Sequence, residues 1–522
     1  MQGKKPYTEK LFSNFQLSER VPQDNFYRRL KEALDLQFVR GATRKYYGSE
    51  GQQSIDPIVF FKLILVGYLE NLNSDRRIIE HAKMRLDILY FIGYDIDEEL
   101  PWHSTLSRTR QLYGEEIFLQ LFREVLKLCI DKGMVSGRRQ AVDSAYIKAN
   151  ASMDSLLEKE VLDDAQTFTN ELEANEEDAS KKKTVSYLRK KKVEQHHAWK
   201  AKEYKDQPSN TNSKQIDEHG HLIRPKFLSN HTHYSPTDPD ARISVKPGKP
   251  RQLNYSAQTV VDTSHHVITN IQADYSDKRD SQSLAAVVEQ TKRNLRPHGL
   301  EVEELLADTG YSSGTALAYL EEQNITGYIP NFGQYKNERQ GFIYNKELDQ
   351  YECIQQGGNK AILPYRGTDT DALNYTKKKY RSSQTDCLKC PLKEQCIGKA
   401  GKYKKIEDSI HKPHYDKMHQ RLQTNYAKRM KKLRSSTVEP VLGTLINFTG
   451  MRRIWSRGIK NANKFMLGAA IAYNLKKLMK FKEKKVKVIP MAMEVPKIAE
   501  KSLQKLWFLI FNAPHHLYIF LY

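Results

Sequence analysis

The sequence predicts a protein of the α/β class, in which a mixed sheet is flanked by helices, follows a helical region and is interrupted by two insertions. Three observations support this prediction. Apolar residues recur at helical spacing up to about residue 135. From residue 253 they alternate with polar residues, and after residue 281 strand-like and helix-like stretches follow one another.

The helical region contains clear start signals. Asp56 followed by Pro57 predicts a helix start, because aspartate caps a first turn and proline fits its first position. Ser104 and Thr105 are predicted to open a later helix, and apolar residues at 118–129 have helical spacing. This part of the chain is therefore expected to be helical throughout.

From about residue 139 onwards, predicted strands and predicted helices alternate along the chain. The turn at 262–264 joins two alternating stretches and predicts an antiparallel hairpin. The predicted order is strands at 139–147, 253–261 and 267–273, a helix at 281–291, a strand at 301–308, a helix at 313–323, a strand at 325–329 and a last helix at 465–481. Such alternation predicts helices layered on a sheet.

These patterns divide the chain into three parts. Residues 1–135 form the helical region, residues 136–482 the α/β domain, and residues 483–522 an unassigned basic and apolar tail. The α/β domain is expected to carry insertions at about 151–240 and about 331–431. The first insertion consists of an acidic block followed by a basic one, and the second is rich in Tyr, Lys and Gln.

Charge and composition limit the function. The chain has 522 residues and a formal net charge of +21, and nucleic acid is the natural partner for such an excess of positive charge. No apolar run is long enough to span a membrane, and the first thirty residues do not resemble a signal peptide. Five cysteines in so long a chain fit a reducing cytoplasm. A cytoplasmic DNA- or RNA-binding protein is expected.

Two aspartates follow buried strand residues. Asp143 comes after Ala141 and Val142, and Asp308 comes after the apolar residues at 305–307. A carboxylate in this position lies at the carboxyl edge of a sheet, where open α/β sheets bind ligands. Aspartate also starts turns and caps helices, so each residue taken alone has an equally good structural interpretation.

A third acid, Glu439, precedes a basic cluster. Ser436 and Glu439 also match a capping box, and Pro440 implies that a helix begins near Thr437 or kinks there. The cluster itself suits phosphate contacts and consists of Arg452, Arg453, Arg457 and Lys460. If the fold gathers the three acids, their oxygens suit Mg²⁺ or Mn²⁺, and two such ions can catalyse phosphodiester displacement.

Together these segments resemble the DDE transposases of bacterial insertion sequences. The resemblance runs from about residue 10 to about 482, and the matching segments are AVDSAYIKANAS (141–152), SPTDPDARISVKPGK (235–249), LNYSAQTVVDTSHHVIT (253–269), LLADTGYSS (305–313), STVEPVLGTLINFTGMRRIWSRGIKNAN (436–463) and AYNLKKL (472–478). It implies a ribonuclease-H-like catalytic core with Asp143, Asp308 and Glu439 as the triad. Many relatives have an Arg four residues before the Glu and a Lys seven after it, whereas this chain has Ser435 and Ile446.

The resemblance also implies a mechanism and partners. Asp143 should bridge two divalent ions while Asp308 and Glu439 complete their coordination. The partners would be double-stranded DNA of the element ends and target, bound in the bacterial nucleoid by a homodimer or higher oligomer. Residues 1–135 would form the DNA-binding domain, with Arg108 and Arg110 as candidate contacts. Two rivals remain open at this point: a related nuclease that cuts without joining, and a non-catalytic DNA-binding protein derived from a transposase.

The cysteines allow two interpretations. Cys387, Cys390 and Cys396 have the spacing C-x2-C-x5-C, and Cys353 lies upstream as a fourth ligand for a structural Zn²⁺. Only one C-x2-C pair is present, so four ordinary reduced thiols are the alternative. Cys129 lies on an apolar helix face and is expected to be a core residue.

Overall fold

The computed structural model describes residues 16–159, 229–244, 250–370 and 375–482, apart from positions 49, 51, 52, 231, 332, 334 and 336. The chain divides into two compact units, Met1–Lys480 and Phe481–Tyr522. Of the second unit only residues 481 and 482 are described. Residues 160–228 of the first predicted insertion and the predicted tail 483–522 lie outside the described residues.

The N-terminal region is helical, as predicted. Its described part forms α1 (Leu17–Arg20), α2 (Phe26–Ala33), α3 (Phe38–Thr43), α4 (Pro57–Leu69), α5 (Asp75–Lys83), α6 (Leu86–Ile92), α7 (His103–Leu112) and α8 (Glu115–Asp131). Asp56 caps α4 as predicted, because its carboxylate accepts a hydrogen bond from the Ile58 amide at 2.8 Å. The predicted start of α7 is wrong: Trp102 occupies the cap position, and Ser104 and Thr105 lie inside the first turn.

The central sheet has six strands. They are β1 (Arg139–Lys148), β4 (Arg242–Ser244), β5 (Gln252–Asp262), β6 (Ile268–Tyr275), β7 (Glu304–Leu306) and β8 (Thr326–Tyr328), while β2 (Leu157–Glu158) and β3 (His233–Tyr234) pair separately. The strand order is β4-β5-β1-β7-β8, and β6 also pairs with β5. Strands β5 and β6 form the predicted antiparallel hairpin, whereas β1, β7 and β8 run parallel. The sheet is therefore mixed, as predicted.

The described helices that pack on this sheet include α9 (Asp280–Leu295), α10 (Gly314–Glu322), α14 (Asn425–Phe448) and α15 (Ile459–Lys480). Helix α14 packs on β1 and β5, and α9 packs on β6. Helix α15 lies between β6 and the N-terminal helices α4 and α8, and all of its residues from 466 to 475 are buried. At the crossing with α4, only a glycine fits at Gly468, because a Cβ atom there would collide with the Tyr68 ring.

A second, smaller sheet falls inside the second predicted insertion. Its strands are β9 (Phe342–Asn345), β10 (Gln350–Cys353), β11 (Ile362–Thr370), β12 (Thr376–Arg381) and β13 (Lys405–Ser409), in the order β13-β12-β11-β10-β9. Two short helices, α11 (Gln384–Leu388) and α12 (Lys393–Ile397), connect β12 to β13. The next helix, α13 (Lys412–Leu422), packs on α10 and β8. The separate sheet therefore ends at Ser409 rather than at the predicted residue 431.

No helix within the described ranges combines the length and apolar character needed to cross a membrane.

Candidate active site

The two aspartates lie on neighbouring strands of the central sheet. Asp143 lies within β1, where it pairs with Thr259 of β5, and not at the predicted carboxyl edge, whereas Asp308 lies two residues past the end of β7. Strands β1 and β7 are parallel neighbours, and Ala141 is paired with Leu306. Asp143 and Asp308 each follow two residues later, so they lie at the same level along the two strands. The residues before them, Ala141 and Leu306 among them, are buried. The sheet thus brings together two carboxylates that are 165 residues apart in sequence.

Helix α14 brings the third acid to the same place. The guanidinium of Arg434 donates hydrogen bonds to Asp143 Oδ2 at 2.9 Å and to Glu439 Oε1 at 3.0 Å. Arg434 is mostly buried, with 13% of its side chain exposed, whereas Glu439 is 55% exposed. A fixed positive charge therefore lies between two of the three predicted acids. We call Asp143, Asp308, Glu439 and Arg434 the acid cluster.

The acid cluster carries a net negative charge that affects proton binding. Burial raises the pKa of Asp143 above its ordinary value, and the neighbouring charge of Asp308 raises it further. The Arg434 guanidinium and the Ser144 amide, which donates to Asp143 Oδ1 at 2.8 Å, oppose this shift in pKa. The pKa of Asp143 remains raised, because burial outweighs the effect of Arg434.

A fourth carboxylate, Asp280, borders the acid cluster. The buried hydroxyl of Tyr311 donates to Gln258 Oε1, and Gln258 Nε2 donates to Asp280 Oδ1 at 2.9 Å. Burial raises the pKa of Tyr311 well above its ordinary value, and the charges of Asp280, Asp143 and Asp308 add to this increase. The charges of three aspartates thus act on one tyrosine hydroxyl.

The space between Asp280 and Asp308 is kept open by Gly310. A Cβ atom at this glycine would lie 3.0 Å from Asp280 Oδ2 and 3.1 Å from Asp308 Oδ1. Any larger residue would press on both carboxylates. Asp280 is the first residue of α9, and its position after strand β6 is the sequence signal that could have identified it.

The donor chemistry of the acid cluster fits a hard divalent cation. All its ligand atoms are carboxylate oxygens, and Arg434 shows that a cation is stabilised between Asp143 and Glu439. Within the described part of the chain, no three His, Cys, Asp or Glu side chains already stand in ligand geometry around one point.

The structure decides between the alternatives for Glu439. Ser436, Glu439 and Pro440 lie in the interior of the 24-residue helix α14, and the Ser436 hydroxyl donates to the Leu433 carbonyl at 3.0 Å. The capping-box interpretation and the predicted helix start near Thr437 are wrong. Arg434 was missed because a helix beginning at Thr437 would have left it in a loop.

The basic residues after α14 form a loop beside the end of β1. The backbones of Arg453 and Lys148 form an isolated parallel β-bridge. The guanidinium of Arg453 donates a hydrogen bond to Asn150 Oδ1 at 3.1 Å and lies 4.9 Å from the centre of the Trp455 ring. Arg452, Arg457 and Lys460 are exposed. Arg453 therefore holds the loop in place, while the other three side chains face solvent.

The two arginines predicted on α7 have different environments. Arg110 makes a bidentate ion pair with Asp75 of α5, at 2.6 and 2.9 Å, and this pairing raises its pKa. Arg108 is exposed. Arg110 thus joins α5 and α7, and its predicted contact with DNA stays a prediction. Arg110 and Arg457 line one cavity of about 440 Å³, so the helical region and the basic loop share a surface.

The four cysteines predicted as zinc ligands line one small cavity beside the five-stranded sheet. They are Cys353, Cys387, Cys390 and Cys396. The fifth cysteine, Cys129, is fully buried in α8, which confirms its prediction as a core residue.

Comparison with known protein families gives two matches. The family described as a transposase domain (DUF772) matches residues 15–112, which include α1 to α7. The family described as a transposase DDE domain matches residues 358–479, a range that includes Arg434, Glu439 and the basic loop. Asp143 and Asp308 lie between the two matched ranges. Among curated proteins, none matches the chain.

Proposed function

Because this chain belongs to the DDE transposases of insertion sequences, we propose that it binds the ends of its mobile element and catalyses metal-dependent DNA cleavage and strand transfer. One observation carries the proposal. Residues from β1 and α14, 296 positions apart, meet on the guanidinium of Arg434, beside the aspartate that follows β7. A purely structural role for Asp143, Asp308 and Glu439 would not require this grouping of like charges.

The proposal includes a ribonuclease-H-like catalytic core. Its support is the order and direction of the strands. Strand β5 pairs antiparallel with β6 on one side and with β1 on the other, and β1 then pairs in parallel with β7, which pairs in parallel with β8. The first aspartate lies on the central strand of this order and the second on the neighbouring parallel strand. Helix α14 then crosses β1 and carries the glutamate.

In the proposed reaction, Asp143, Asp308 and Glu439 would hold Mg²⁺ or Mn²⁺. Two such ions, when bound, activate a water or 3′-hydroxyl and stabilise the leaving 3′-oxygen. Until then Arg434 balances the charge of Asp143 and Glu439 and holds both side chains towards each other. No nucleophilic side chain is needed, and the hydroxyl of Tyr311 is buried and donates to Gln258.

The exposed basic residues would bind the DNA backbone. Lys148, which pairs with Arg453, lies five residues beyond Asp143 on β1, about 16 Å away at about 3.3 Å per residue. One DNA segment can therefore reach the acid cluster and also contact Arg452, Arg457 and Lys460. The shared surface extends to α7, where Arg108 would make a further contact. A homodimer or higher oligomer would provide one site for each of the element's two ends.

A cleavage and joining assay tests the proposal. The substrate is DNA carrying the element's own ends, with Mg²⁺ or Mn²⁺, and the parent protein should both cut and join it. Asp143→Asn should lower cleavage at least about a hundredfold, because it removes a charge that binds the metal. It should bind the ends as well as the parent, because phosphate affinity comes from distributed Lys and Arg.

Asp154→Asn is the matched control, since it changes an exposed aspartate further along the same chain segment, and it should keep full activity. Cutting without joining would identify a nuclease. A parent protein that binds the ends but never cuts them would identify the non-catalytic rival.

A further inference from the structure

The five-stranded sheet has a very small apolar core. Among the described residues it consists of Phe342, Tyr351, Leu363, Tyr380 and Ile406, and Cys353 and Cys396 pack against it. A unit of this size, fewer than about 80 residues, rarely gains enough stability from apolar burial alone and commonly contains disulfides or a metal. Some other interaction must therefore contribute to holding this part of the chain.

The two short helices of this unit need such an interaction most. Helices α11 and α12 have five residues each, and isolated helices shorter than about 12 residues are marginal in water. In α11 only Cys387 is buried, and α12 has no buried residue. Apolar burial therefore does not account for their position against the sheet.

The four thiols converge where these helices meet the sheet. Cys353 ends β10, Cys387 lies in α11, Cys390 follows it, and Cys396 lies in α12. All four line one cavity of about 20 Å³, which has room for a single water-sized atom or ion. Four sulfur donors suit a soft or borderline metal, which cysteine binds as the thiolate.

Polar groups border the sulfur atoms of the cavity. Lys393, Lys404 and Asp386 also line the cavity, and Lys404 Nζ donates to the Cys396 carbonyl at 3.0 Å. The hydroxyl of Ser382, which is buried, lies 3.0 Å from Cys387 Sγ. Charges and hydrogen bonds of this kind stabilise and orient metal-bound sulfur.

We propose that Cys353, Cys387, Cys390 and Cys396 bind one structural zinc ion. Four thiolates make a closed tetrahedral site, in which zinc has no open position for catalysis. The thiols do not stand in ligand geometry without the metal, and rotation about χ1 is the movement available to each of them. Bound zinc ties the end of β10 to α11 and α12. It thereby stabilises the segment that leads into α13 and α14, the helix of Arg434 and Glu439.

The first test measures metal in the parent protein. The full-length chain is purified without a histidine tag, and its zinc is measured by elemental analysis after a weak chelator has removed loosely bound ions. About one zinc per chain is expected. Titration with a mercurial should release this zinc in step with the modification of four thiols. Absence of zinc, or a disulfide between any two of the four cysteines, would overturn the proposal.

Variants assign the metal to the cavity. Cys390→Ser and Cys396→Ser should lose most of the zinc, whereas Cys129→Ser, which changes a buried thiol elsewhere, should keep it. Asp143→Asn should also keep it, which separates this metal from any ion in the acid cluster. Should the cysteine variants be insoluble, the parent grown with Co²⁺ must show the absorption of tetrahedral cobalt bound by thiolates. Zinc that remains in both cysteine variants would contradict the assignment.

Discussion

The acid cluster and the cysteine cavity each gather four chemically active side chains, but the structure supports them in opposite ways. The acids lie on two neighbouring strands of a six-stranded sheet and on a 24-residue helix, all backed by a large core. The cysteines lie on a five-stranded sheet with five core residues and on two helices of one turn. Long elements packed on a large core position the acid cluster, whereas few packed residues position the cysteine cavity.

This difference predicts what the acid cluster and the cysteine cavity each contribute to the protein. The large domain can tolerate the repulsion between Asp143 and Asp308, because its stability comes from the burial of many apolar side chains. Such unfavourable electrostatics are common at functional sites. The cysteines would instead supply stability that the small sheet lacks. Changes in the acid cluster should therefore affect chemistry, and changes in the cysteine cavity should affect folding.

The largest expected effect is loss of chemistry without loss of structure. Glu439→Gln removes a negative charge from the acid cluster, and its side chain is half exposed, so packing changes little. DNA cleavage should fall at least about a hundredfold, while the thermal unfolding midpoint stays within a few degrees of the parent value. Ser436→Ala, on an exposed position one turn earlier in α14, should leave both quantities unchanged. A Glu439→Gln protein that still cuts DNA would remove this residue from the proposed site.

The opposite result is expected at the cysteine cavity. Removing zinc with a strong chelator should raise amide hydrogen exchange in residues 342–409 at least about tenfold, because the metal holds the small sheet and its short helices together. Exchange in α8 and α15 should not change, because both helices are buried in the large core. Uniform exchange across both regions would show that the two cores are not independent.

A smaller effect on stability is expected from the cation of the acid cluster. Arg434→Gln leaves Asp143 and Glu439 without their shared counter-charge, which should destabilise the metal-free protein by about 1–3 kcal/mol. Mn²⁺ should then raise the unfolding midpoint more in this variant than in the parent, because no guanidinium competes with it. Arg429→Gln, at an exposed position of α14, is the control. An equal response to Mn²⁺ in all three proteins would argue against competition between Arg434 and the metal.

Two arginines of α7, Arg108 and Arg110, allow DNA binding and protein stability to be compared in the same way. Arg108→Ala should weaken end binding and lower the salt dependence of the affinity by about one phosphate contact, with no loss of stability. Arg110→Ala should instead lower stability by about 1–3 kcal/mol, because Asp75 loses its bidentate partner. Binding assays at several salt concentrations and thermal unfolding separate the two effects. The same loss of stability is expected for Asp75→Asn.

The smallest effect is a dependence of stability on pH. The pKa of Asp143 is raised in the folded protein, so the native state binds more protons at this group than the unfolded state does. This group therefore lowers stability as pH rises through its folded pKa, in the absence of metal. Asp143→Asn removes that dependence, so its unfolding free energy relative to the parent should increase from acidic to neutral pH. A constant difference would mean that the environment of Asp143 does not shift its pKa.

Much of the fold could be predicted from local signals. The cap at Asp56, the hairpin of β5 and β6 and the apolar spacing of α8 each depend on residues within one or two turns. The position of Asp143 and Asp308 after buried strand residues was equally visible. The short strands β7 and β8 were predicted too long, because apolar residues continue past the ladder, and strand ends depend on where the partner strand stops.

What the sequence by itself determined is the set of candidate residues: the acids, the basic loop and the four cysteines. Only the tertiary structure decided their partners. Helix α14 continues through Pro440 because it packs on β1 and β5, and no local sequence pattern encodes that packing. The unbroken helix places Arg434 between Asp143 and Glu439. Arg110 likewise turned out to pair with Asp75 because α5 and α7 pack together. Charge pairing between distant segments depends on long-range packing, so it follows from the fold and not from spacing in the chain.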